Sequence, residues 1–491
     1  MHTPSKYQAA VYSFIESGSG NAVIDAVAGS GKSTTLVESL KKIPPHQTVL
    51  FLAFNKSIVE ELKIKVGNMS NVQIYTLHGM GASAVNRSLW DVETNADKYK
   101  KFIHSMDAQG FLTPDTDLEP AEYKEFKSNI FQLIDLCRLN LCNDKDKAKE
   151  LASKHDIHLL ANEIKYAFKA IKWGLANEDE IDFTDMIFFP IIKKMRVNQY
   201  DWVFIDECQD LNTCQRELFL KCLKPGGRFI AVGDPHQAIY GFAGAAIESF
   251  RILQNLPDTV TLPLSVCYRC DGDIIRLAKT IVPHIEAREG VPAGIVDREA
   301  KLSGVQDGDM VLCRLVSPLV DVCIGYIKQG IKAYIKGGDI GANLVKMIQN
   351  TNREAMEDVM IIFEKELAKI ALKYSKSTGC SLQEARESSD YQSYEDKVSA
   401  ISIISEGISK SSAVVARILT IFSDKNQGIC LSTIHKSKGL ECDRVFILCP
   451  EKMMHAKSMQ IEWMAEQERN LVYVAYTRAK HYLGYITDYQ Y

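Results

Sequence analysis

The segment from Ala22 to Leu36, AVIDAVAGSGKSTTL, constrains the fold more than any other part of the sequence. A short apolar run, Ala22 to Ala26, stands directly before a glycine-rich stretch, and a helical pattern through Leu36, Val37 and Leu40 follows it. This order predicts a strand, a phosphate-binding loop and a helix, because glycines let backbone N–H groups close around a phosphate. We therefore expect a parallel α/β sheet built around this unit.

The predicted loop contains the residue types that a nucleotide phosphate needs. Lys32 places a point charge near the β- and γ-phosphate oxygens, and the Ser33 hydroxyl is a ligand for Mg²⁺. The first position of the usual GxxxxGK[ST] pattern is Ala26, a small residue that still fits the turn. The nucleotide is expected to contact Ala28, Gly29, Ser30, Gly31, Lys32, Ser33 and Thr34. A phosphate loop alone leaves kinases, GTPases and ATPases open.

Acidic residues at the end of a second apolar run favour one of these classes. Trp202 to Ile205 predicts a buried strand, and Asp206 and Glu207 follow it directly. At the carboxyl edge of such a strand, Asp206 can hold Mg²⁺ and Glu207 can polarise the attacking water. Paired acids at this place indicate hydrolysis rather than phosphoryl transfer to a substrate.

A third apolar run, Arg228 to Asp234, is followed by an amide and two aromatic residues. Gln237 at this edge can sense the γ-phosphate through a hydrogen bond. Tyr240 and Phe242 could stack on nucleic-acid bases, since aromatic platforms tolerate any base. Taken by themselves, these two aromatic residues are more typical of a hydrophobic core.

Apolar, β-branched runs alternate with longer helical patterns along the whole chain, which is typical of parallel α/β units. The runs occupy residues 22–26, 48–54, 202–207, 228–234, 259–265, 310–315, 332–337, 428–434 and 444–449. Two strand-poor stretches indicate helical insertions. We predict a first lobe from residues 1–85 and 181–258 with insertion 86–180, and a second lobe from 259–337 and 417–491 with a small helical insertion, 338–416.

Composition limits the partners and the compartment. Among 491 residues, 58 Lys and Arg against 62 Asp and Glu leave a net charge of −4, so a polyanion must be held by a local groove. The sequence shows no secretory signal and no apolar stretch of about 18 residues. The 13 cysteines are expected to be reduced, and the pair Cys267 and Cys270 has no further ligands at zinc-site spacing. We expect a cytoplasmic or nuclear protein outside the membrane.

Eight motifs resemble, in order, those of superfamily 1A helicases, the UvrD/Rep/PcrA group. They are AGSGKST, LAFNKS, TLHG, DECQD, GDPHQAIYGF, CYR, STIHKSKGLE and VYVAYTRAK. LAFNKS and GDPHQ are especially similar to the catalytic part of the F-box DNA helicases. The resemblance implies two RecA-like P-loop NTPase lobes with parallel sheets, each carrying a mainly helical insertion, and ATP in the cleft between them.

The resemblance also assigns roles around the nucleotide. The implied contacts outside the phosphate loop are Gln8, Tyr268, Arg269, Gly439, Glu441 and Arg478. Gln8 matches the adenine-reading glutamine, and Tyr268 matches the adenine-stacking aromatic residue. Arg269 and Arg478 match the two arginines that reach the γ-phosphate, where guanidinium charge stabilises the transferring phosphoryl group. Glu441 would accept a hydrogen bond from the ribose hydroxyl.

For a groove that holds single-stranded DNA, the resemblance implies Phe54, Asn55, Lys56, Thr76, His78, Tyr240, Phe242, Thr433 and His435. Lysine and small polar side chains would hold phosphates, and the aromatic residues would take bases in turn. The segment from Asp182 to Met186 also resembles a family segment, and we expect its role to be mainly structural.

Three departures limit what the resemblance carries over. Gly241 to Ala245 reads GFAGA where UvrD-like enzymes usually have GWRGA, which removes an arginine. Thr34 stands where UvrD and PcrA carry an arginine near adenine, so looser base selectivity is expected. The second insertion is much smaller than the usual regulatory subdomain, which predicts reduced autoinhibition and reduced contacts to duplex DNA.

The resulting interpretation is an ATP- and Mg²⁺-dependent helicase and translocase that moves 3′ to 5′ on single-stranded DNA, with the polarity resting on the resemblance. Expected partners are single-stranded DNA and single-to-double-strand junctions, and the protein is expected to be a monomer. Three alternatives stay open: an RNA or 5′-to-3′ superfamily 1 enzyme, a translocase that strips proteins from DNA without unwinding, and a non-enzymatic nucleotide-gated DNA-binding module. We expect neither an F-box before the first strand nor a nuclease domain after Lys480.

Overall fold

The computed structural model describes residues 3–53, 56–67, 69–89, 92–155, 157–239, 247–423, 427–454 and 462–490. The chain forms two compact units, one of Met1–Ala26 and Gly31–Ser265, the other of Val27–Ser30 and Val266–Tyr491. Each unit contains a six-stranded sheet whose neighbouring strands run parallel. The predicted α/β class with two parallel-sheet lobes is confirmed.

The strands of the first unit are β1 (Asn21–Ala26), β2 (Val49–Ala53), β3 (Val72–Thr76), β4 (Glu93–Thr94), β5 (Glu180–Ile181), β6 (Tyr200–Ile205), β7 (Leu223–Gly233) and β8 (Thr259–Leu264). The large sheet has the order β3-β2-β6-β7-β1-β8, and β4 pairs with β5. Every residue of β2 is buried. A strand in the middle of a parallel sheet is covered on both faces, which explains why these runs are continuously apolar rather than alternating.

The helices of this unit are α1 (Lys6–Ser17), α2 (Lys32–Leu40), α3 (Lys56–Val66), α4 (Leu77–Ser88), α5 (Lys98–Ala108), α6 (Pro120–Leu139), α7 (Lys145–Lys154), α8 (Glu163–Ala176), α9 (Phe183–Ile192), α10 (Thr213–Lys221) and α11 (Ile247–Gln254). Helices α5 to α8 lie in the segment expected to be an insertion. Their buried residues, such as Ile103 and Phe126, belong to the same hydrophobic core as Leu50 and Val203 of the sheet. These four helices therefore pack as part of the first unit.

A buried ionic cluster joins α9 and its N-cap to α5 and α6. Asp185 accepts hydrogen bonds from Lys98 Nζ at 2.9 Å, Tyr99 Oη at 2.8 Å and Arg138 Nη1 at 2.8 Å. Asp182 caps α9 and accepts from both terminal nitrogens of Arg138, at 2.8 and 2.7 Å. Lys98, Asp185 and Arg138 are at most 1% exposed. The segment from Asp182 onwards thus makes the structural contacts that its sequence suggests.

The strands of the second unit are β9 (Val266–Cys267), β10 (Glu286–Ala287), β11 (Ile295–Ala300), β12 (Met310–Cys313), β13 (Ala333–Lys336), β14 (Ile429–Thr433), β15 (Cys442–Ile447) and β16 (Ala479–Ile486). The order of its large sheet is β11-β16-β15-β12-β14-β13, and β9 pairs with β10. Its helices are α12 (Gly272–Ala278), α13 (Ser317–Lys328), α14 (Gly338–Asn350), α15 (Met356–Thr378), α16 (Leu382–Ala385), α17 (Ser389–Ser405), α18 (Ser411–Ile421) and α19 (Glu462–Tyr476).

Helices α14 to α18 lie where the sequence predicts the second, smaller insertion. Leu344 and Ile401 belong to the same hydrophobic core as Val311 and Leu431 of the sheet. Asp396 on α17 accepts from the backbone N–H groups of Val316 and Ser317, at 2.7 and 2.8 Å, and so caps α13. Apolar packing and a charged cap together hold α17 to the rest of the second unit.

The boundary between the units differs from the sequence expectation. The sequence analysis assigns residues 259–265 to the second lobe, but β8 pairs with β1 from Asn21↔Thr259 to Ala26↔Leu264. Because the whole strand is bonded to the first sheet, the first unit extends to Ser265 instead of ending at residue 258. Within the described ranges, no helix is long and apolar enough to cross a membrane.

Candidate active site

Two glycines with left-handed backbone conformation shape the loop between β1 and α2. Gly29 has φ +66° and Gly31 has φ +77°, values that residues with a Cβ rarely adopt. Gly31 is the N-cap of α2, and no side chain in the described part of the chain caps this helix. Its first N–H groups therefore face a place where a phosphate would bind favourably. Ala28 and Ser30 complete the loop, and the buried Ser30 hydroxyl has no hydrogen-bond partner among the described residues.

Two carboxylates from the end of β6 lie beside the residues that begin α2. Lys32 Nζ is 3.0 Å from Glu207 Oε1, and Ser33 Oγ donates to Asp206 Oδ2 at 3.4 Å. Burial alone would lower the pKa of Lys32, but the surrounding carboxylates, first of all Glu207 and Asp206, raise it above the usual lysine value. Two residues from each of two separate motifs thus lie in contact. Lys32 remains positively charged among these carboxylates.

Ser33 and Asp206 have the chemistry that a Mg²⁺ site requires. Asp206 is 5% exposed, and burial together with the charge of Glu207 raises its pKa to about 6. A buried carboxylate of this kind is short of positive charge, and a divalent cation would favour its ionised form. One hydroxyl and one carboxylate suit Mg²⁺, which keeps several of its positions for water and phosphate.

Glu207 has an unusual backbone conformation directly after β6. Its φ is +54°, a left-handed value that costs a residue with a side chain about 1–3 kcal/mol and that is concentrated at functional sites. The turn places the carboxylate between two donors, because Oε1 pairs with Lys32 and Oε2 accepts from Gln209 Nε2 at 2.6 Å. The carboxylate is therefore oriented before any water or nucleotide arrives.

Gln237 lies in a short 3₁₀ turn, Pro235–Gln237, that follows β7. Its Nε2 donates to Asp234 Oδ2 at 2.6 Å, while Asp234 Oδ1 accepts from the backbone N–H of His236 at 3.0 Å. Asp234 is fully buried, and burial raises its pKa. Asp234 thus fixes the side chain that is predicted to sense the γ-phosphate.

Gln8 is buried at the start of α1, near the phosphate loop. Its Oε1 accepts from Ser5 N at 3.0 Å as part of a capping box, and its Nε2 donates to Thr35 Oγ1 at 3.1 Å. Thr34, the neighbouring residue with a predicted role, is exposed on α2. Both polar atoms of the Gln8 amide therefore have partners within the first unit, so an adenine base would have to share or replace one of them.

In the second unit, the predicted Arg269 and Glu441 form an ion pair. Arg269 Nε lies 2.7 Å from Glu441 Oε2, and Arg269 Nη1 donates to the carbonyl of Thr477 at 3.1 Å. Lys480 Nζ lies 3.2 Å from the other carboxylate oxygen. Burial opposes ionisation, yet Arg269 and Lys480 lower the pKa of Glu441. Glu441 is a fixed anion here, and a ribose hydroxyl would donate to it rather than accept from it.

Arg478, Tyr268 and Gly439 lie in the same unit. Arg478 is 1% exposed, and its guanidinium donates to the carbonyls of Val474 and Leu440 at 3.0 and 2.8 Å. Tyr268 is half-buried. Gly439 has φ +85°, and no described atom beyond its chain neighbours lies within 4 Å of the position that a Cβ would take. Arg478 Nη2 also donates to the Thr477 hydroxyl at 3.3 Å, so several groups of the second unit fix the orientation of this guanidinium.

Some of the predicted DNA-binding residues are described by the structure. Thr76 caps α4 by accepting from Gly79 N at 3.0 Å, Lys56 is exposed at the start of α3, and Thr433 is buried at the end of β14. Burial lowers the pKa of His78, and burial with the charges of Arg314 and Lys436 lowers the pKa of His435 to about 4. Both rings are therefore expected to be neutral near pH 7. Phe54, Asn55, Tyr240 and Phe242 lie outside the described residues.

Cys267 and Cys270 are both buried, and the backbone N–H of Cys270 donates to Cys267 Sγ at 3.5 Å. The hydrogen bond from the Cys270 thiol contributes most to lowering the pKa of Cys267 to about 7. Across the described ranges, no group of three or more His, Cys, Asp or Glu side chains is arranged to hold a metal ion.

Sequence reasoning missed two polar residues in the first unit, Gln209 and Asp234. Gln209 lies in the motif DECQD and Asp234 in the motif GDPHQ. In each motif a neighbouring residue has the more evident chemical role. Gln209 is fully buried and joins Glu207 to the backbone of Asp234. The sequence carries no distinct signal for it, because its burial beside the Asp234 N–H depends on the pairing of distant segments.

Comparison with known proteins agrees with the motif order. The model of the UvrD/REP helicase N-terminal domain matches residues 8–257, and that of the UvrD-like helicase C-terminal domain matches residues 428–486. The chain is 23% identical over 93% of its length to F-box DNA helicase protein 1 of Schizosaccharomyces pombe, and equally so to F-box DNA helicase 1 of Gallus gallus. It is 24% identical over 55% of its length to ATP-dependent DNA helicase Rep of Escherichia coli. The matches cover 54%, 46% and 43% of these proteins, so the chain spans about half the length of the curated relatives.

Proposed function

Because the chain belongs to the UvrD/REP helicase family, we propose that it is an ATP-dependent DNA helicase that moves 3′ to 5′ along single-stranded DNA. The observation that carries this proposal is the cluster of Lys32, Ser33, Asp206 and Glu207 beside an uncapped helix N-terminus. A phosphate site, a magnesium site and an oriented carboxylate are the three parts that hydrolysis of a nucleoside triphosphate needs. Their meeting in one place favours an enzyme over a nucleotide-gated binding module.

In the proposed reaction, the N–H groups at the start of α2 bind the β-phosphate, and Lys32 neutralises the oxygens of the transferring group. Mg²⁺ bound by Ser33 and Asp206 would supply further positive charge to the same oxygens. Glu207 orients the attacking water and accepts its proton as the water oxygen bonds to the γ-phosphorus and the bond from that phosphorus to the bridging oxygen breaks, with ADP as the leaving group. Gln237 donates to the γ-phosphate while Asp234 holds its side chain.

We propose roles for the other residues that are predicted to contact the nucleotide. Gln8 and Tyr268 would bind adenine, and Glu441 would accept from the ribose hydroxyl. Arg269 and Arg478 would stabilise negative charge on the transferring phosphoryl group. Because Arg269 is paired with Glu441, phosphate would compete with that carboxylate for the guanidinium, and the ribose hydroxyl would take over part of the bonding to Glu441.

For the DNA strand, we propose that Lys56 and Thr76 hold phosphates in the first unit and that Thr433 and His435 do so in the second. The expected partners are single-stranded DNA and single-to-double-strand junctions, bound by a monomer. Movement in the 3′-to-5′ direction would come from alternating grip by the two units during each ATP cycle. Contacts of this local kind are expected to weaken steeply with salt.

A second candidate is a translocase that displaces proteins from DNA without separating strands. The packing of α14, α15, α17 and α18 favours it, because these four helices share the core of the second unit. A helical insertion held in this way has less freedom to engage duplex DNA as a separate body. This candidate therefore predicts protein displacement without strand separation.

The decisive experiment compares ATP hydrolysis and unwinding on 3′-tailed DNA, 5′-tailed DNA and the corresponding RNA. We expect DNA-stimulated hydrolysis, unwinding of the 3′-tailed substrate only, and a loss in kcat of about 100-fold or more in Glu207→Gln. Hydrolysis and protein displacement without unwinding would support the second candidate. If no polynucleotide stimulates hydrolysis, or if Lys32→Ala leaves turnover unchanged, the proposal is wrong.

A further inference from the structure

Gln209 connects the carboxylate of Glu207 with the next strand edge of the first unit. It lies in the 3₁₀ turn Cys208–Asp210, immediately after Glu207, and it is fully buried. Its Nε2 donates to Glu207 Oε2 at 2.6 Å, and its Oε1 accepts from the backbone N–H of Asp234 at 3.1 Å. One side chain therefore bridges the residues that follow β6 and β7.

The second contact of Glu207 explains why this bridge matters. The other carboxylate oxygen is paired with Lys32 Nζ at 3.0 Å. In the proposed reaction a phosphate group draws the Lys32 ammonium towards itself, which weakens that pair. Gln209 then remains as the neutral donor that keeps the carboxylate in its orientation, despite the left-handed backbone at Glu207.

The bridge continues to the side chain that is expected to sense the γ-phosphate. Asp234 accepts the bond from Gln237 Nε2 at 2.6 Å, so consecutive hydrogen bonds run from Glu207 through Gln209 and Asp234 to Gln237. We propose that Gln209 is a positioning residue that sets the Glu207 carboxylate relative to Gln237. The inference rests on the proposed ATP hydrolysis and adds a residue that acts on it through Glu207.

An amide is suited to this place because it donates at one end and accepts at the other. Glutamate would keep the acceptor for the Asp234 N–H but would place a carboxylate against Glu207. Methionine would fill a similar volume and lose both of these bonds, together with the longer one from Nε2 to Asp210 Oδ2 at 3.4 Å. The Gln209 amide packs tightly against Gly233, since a Cβ on that glycine would lie 2.5 Å from Gln209 Oε1. A substituted side chain therefore has little room to move. The two substitutions therefore separate loss of the donor from loss of the whole bridge.

The test measures kcat and KM for ATP in Gln209→Glu and Gln209→Met with saturating single-stranded DNA. We expect kcat to fall about 10- to 100-fold, as is usual when an outer-shell partner is removed, and KM to change less than about twofold. A fluorescent ADP analogue and a thermal melt report whether each variant still folds and binds nucleotide. Gln199→Glu is the matched control, since the exposed Gln199 precedes β6, at the end away from Glu207, and donates to the carbonyl of Leu223 at the start of β7. Its kcat should equal that of the wild type.

A double variant distinguishes positioning from a merely structural role. If Gln209 acts through Glu207, adding Gln209→Met to Glu207→Gln causes no further loss of kcat. A further tenfold loss in the double variant, or full kcat in both single variants alongside an inactive Glu207→Gln, would overturn the inference while the proposed hydrolysis stands. A wild-type protein that does not hydrolyse ATP would overturn both.

Discussion

Replacing Asp185 by asparagine is expected to destabilise the first unit more than any surface change. Asp185 is fully buried and accepts from Lys98, Tyr99 and Arg138 at 2.8–2.9 Å. Two buried cations, Lys98 and Arg138, face the buried carboxylates Asp182 and Asp185, and Arg138 also pairs with the exposed Asp135. The Asp185→Asn substitution removes the carboxylate that is paired with the buried Lys98 ammonium, in a place where water cannot solvate that charge, whereas Arg138 keeps Asp182 and Asp135.

The magnitude follows from the burial of the partners. Removing one partner of a buried ion pair typically costs about 3–5 kcal/mol, because the remaining charge stays buried with neither its partner nor water to stabilise it. For a unit of this size, 1 kcal/mol corresponds to a shift in Tm of about 2–4 °C, so Tm should fall by about 10 °C. Adding Lys98→Met restores the charge balance, and the double variant should therefore be more stable than Asp185→Asn alone.

The assay combines thermal unfolding with hydrogen exchange in α5 and α9, which the cluster joins. Asp135→Asn is the matched control, because Asp135 also pairs with Arg138, at 2.6 Å, but its side chain is 58% exposed. That change should cost less than about 1 kcal/mol. Equal stabilities for the two single variants, or a double variant less stable than either of its parents, would refute the charge-balance reasoning.

Three further predictions concern other polar contacts. Asp396→Ala removes the cap of α13 and should lower the free energy of unfolding by about 1–2 kcal/mol in a urea titration, whereas exposed Glu395→Ala should not. The hydrogen bond from Lys224 contributes most to lowering the pKa of Asp201 to about 2, so its stabilisation is present above about pH 4 and is lost towards pH 2. Asp201→Asn should therefore cost about 1 kcal/mol at pH 7, allowing for solvent screening, and almost nothing at pH 2. His435 has a pKa of about 4 in the folded protein and about 6.5 in the unfolded chain, so the unfolded chain binds the proton first. The free energy of unfolding of the wild type should therefore fall by up to about 3 kcal/mol as the pH is lowered from about 6.5 to about 4. A His435→Asn curve with the same slope would contradict this account.

The parts of the site that sequence reasoning predicted are those set by local pattern and parallel-sheet geometry. A strand, two glycines and a helix specify the phosphate loop with little help from distant residues. The proximity of Asp206 to the phosphate loop could be predicted because the carboxyl ends of parallel strands share one edge of a sheet. In the structure, Ser33 Oγ lies 3.4 Å from Asp206 Oδ2, as this geometry predicts.

The parts that escaped prediction depend on pairings between distant segments. The run from Thr259 to Leu264 is apolar and β-branched enough for either sheet, and only its pairing with β1 assigns it to the first. Gln209 has an ordinary sequence context, and its importance comes from the Asp234 N–H, which the fold brings within 3.1 Å. Residue type alone does not reveal which polar group will be buried beside which donor.

The second unit repeats the backbone shape of the acidic strand end without its acids. After β6, Asp206 precedes Glu207 at φ +54° and a 3₁₀ turn; after β15, Leu448 precedes Cys449 at φ +51° and a 3₁₀ turn. Leu448 is fully buried and offers no oxygen to a metal. The same local geometry therefore lacks the chemistry of hydrolysis in the second unit. The magnesium site that we propose is therefore built from Ser33 and Asp206 of the first unit, and the strand end after β15 offers no carboxylate at the position of Asp206.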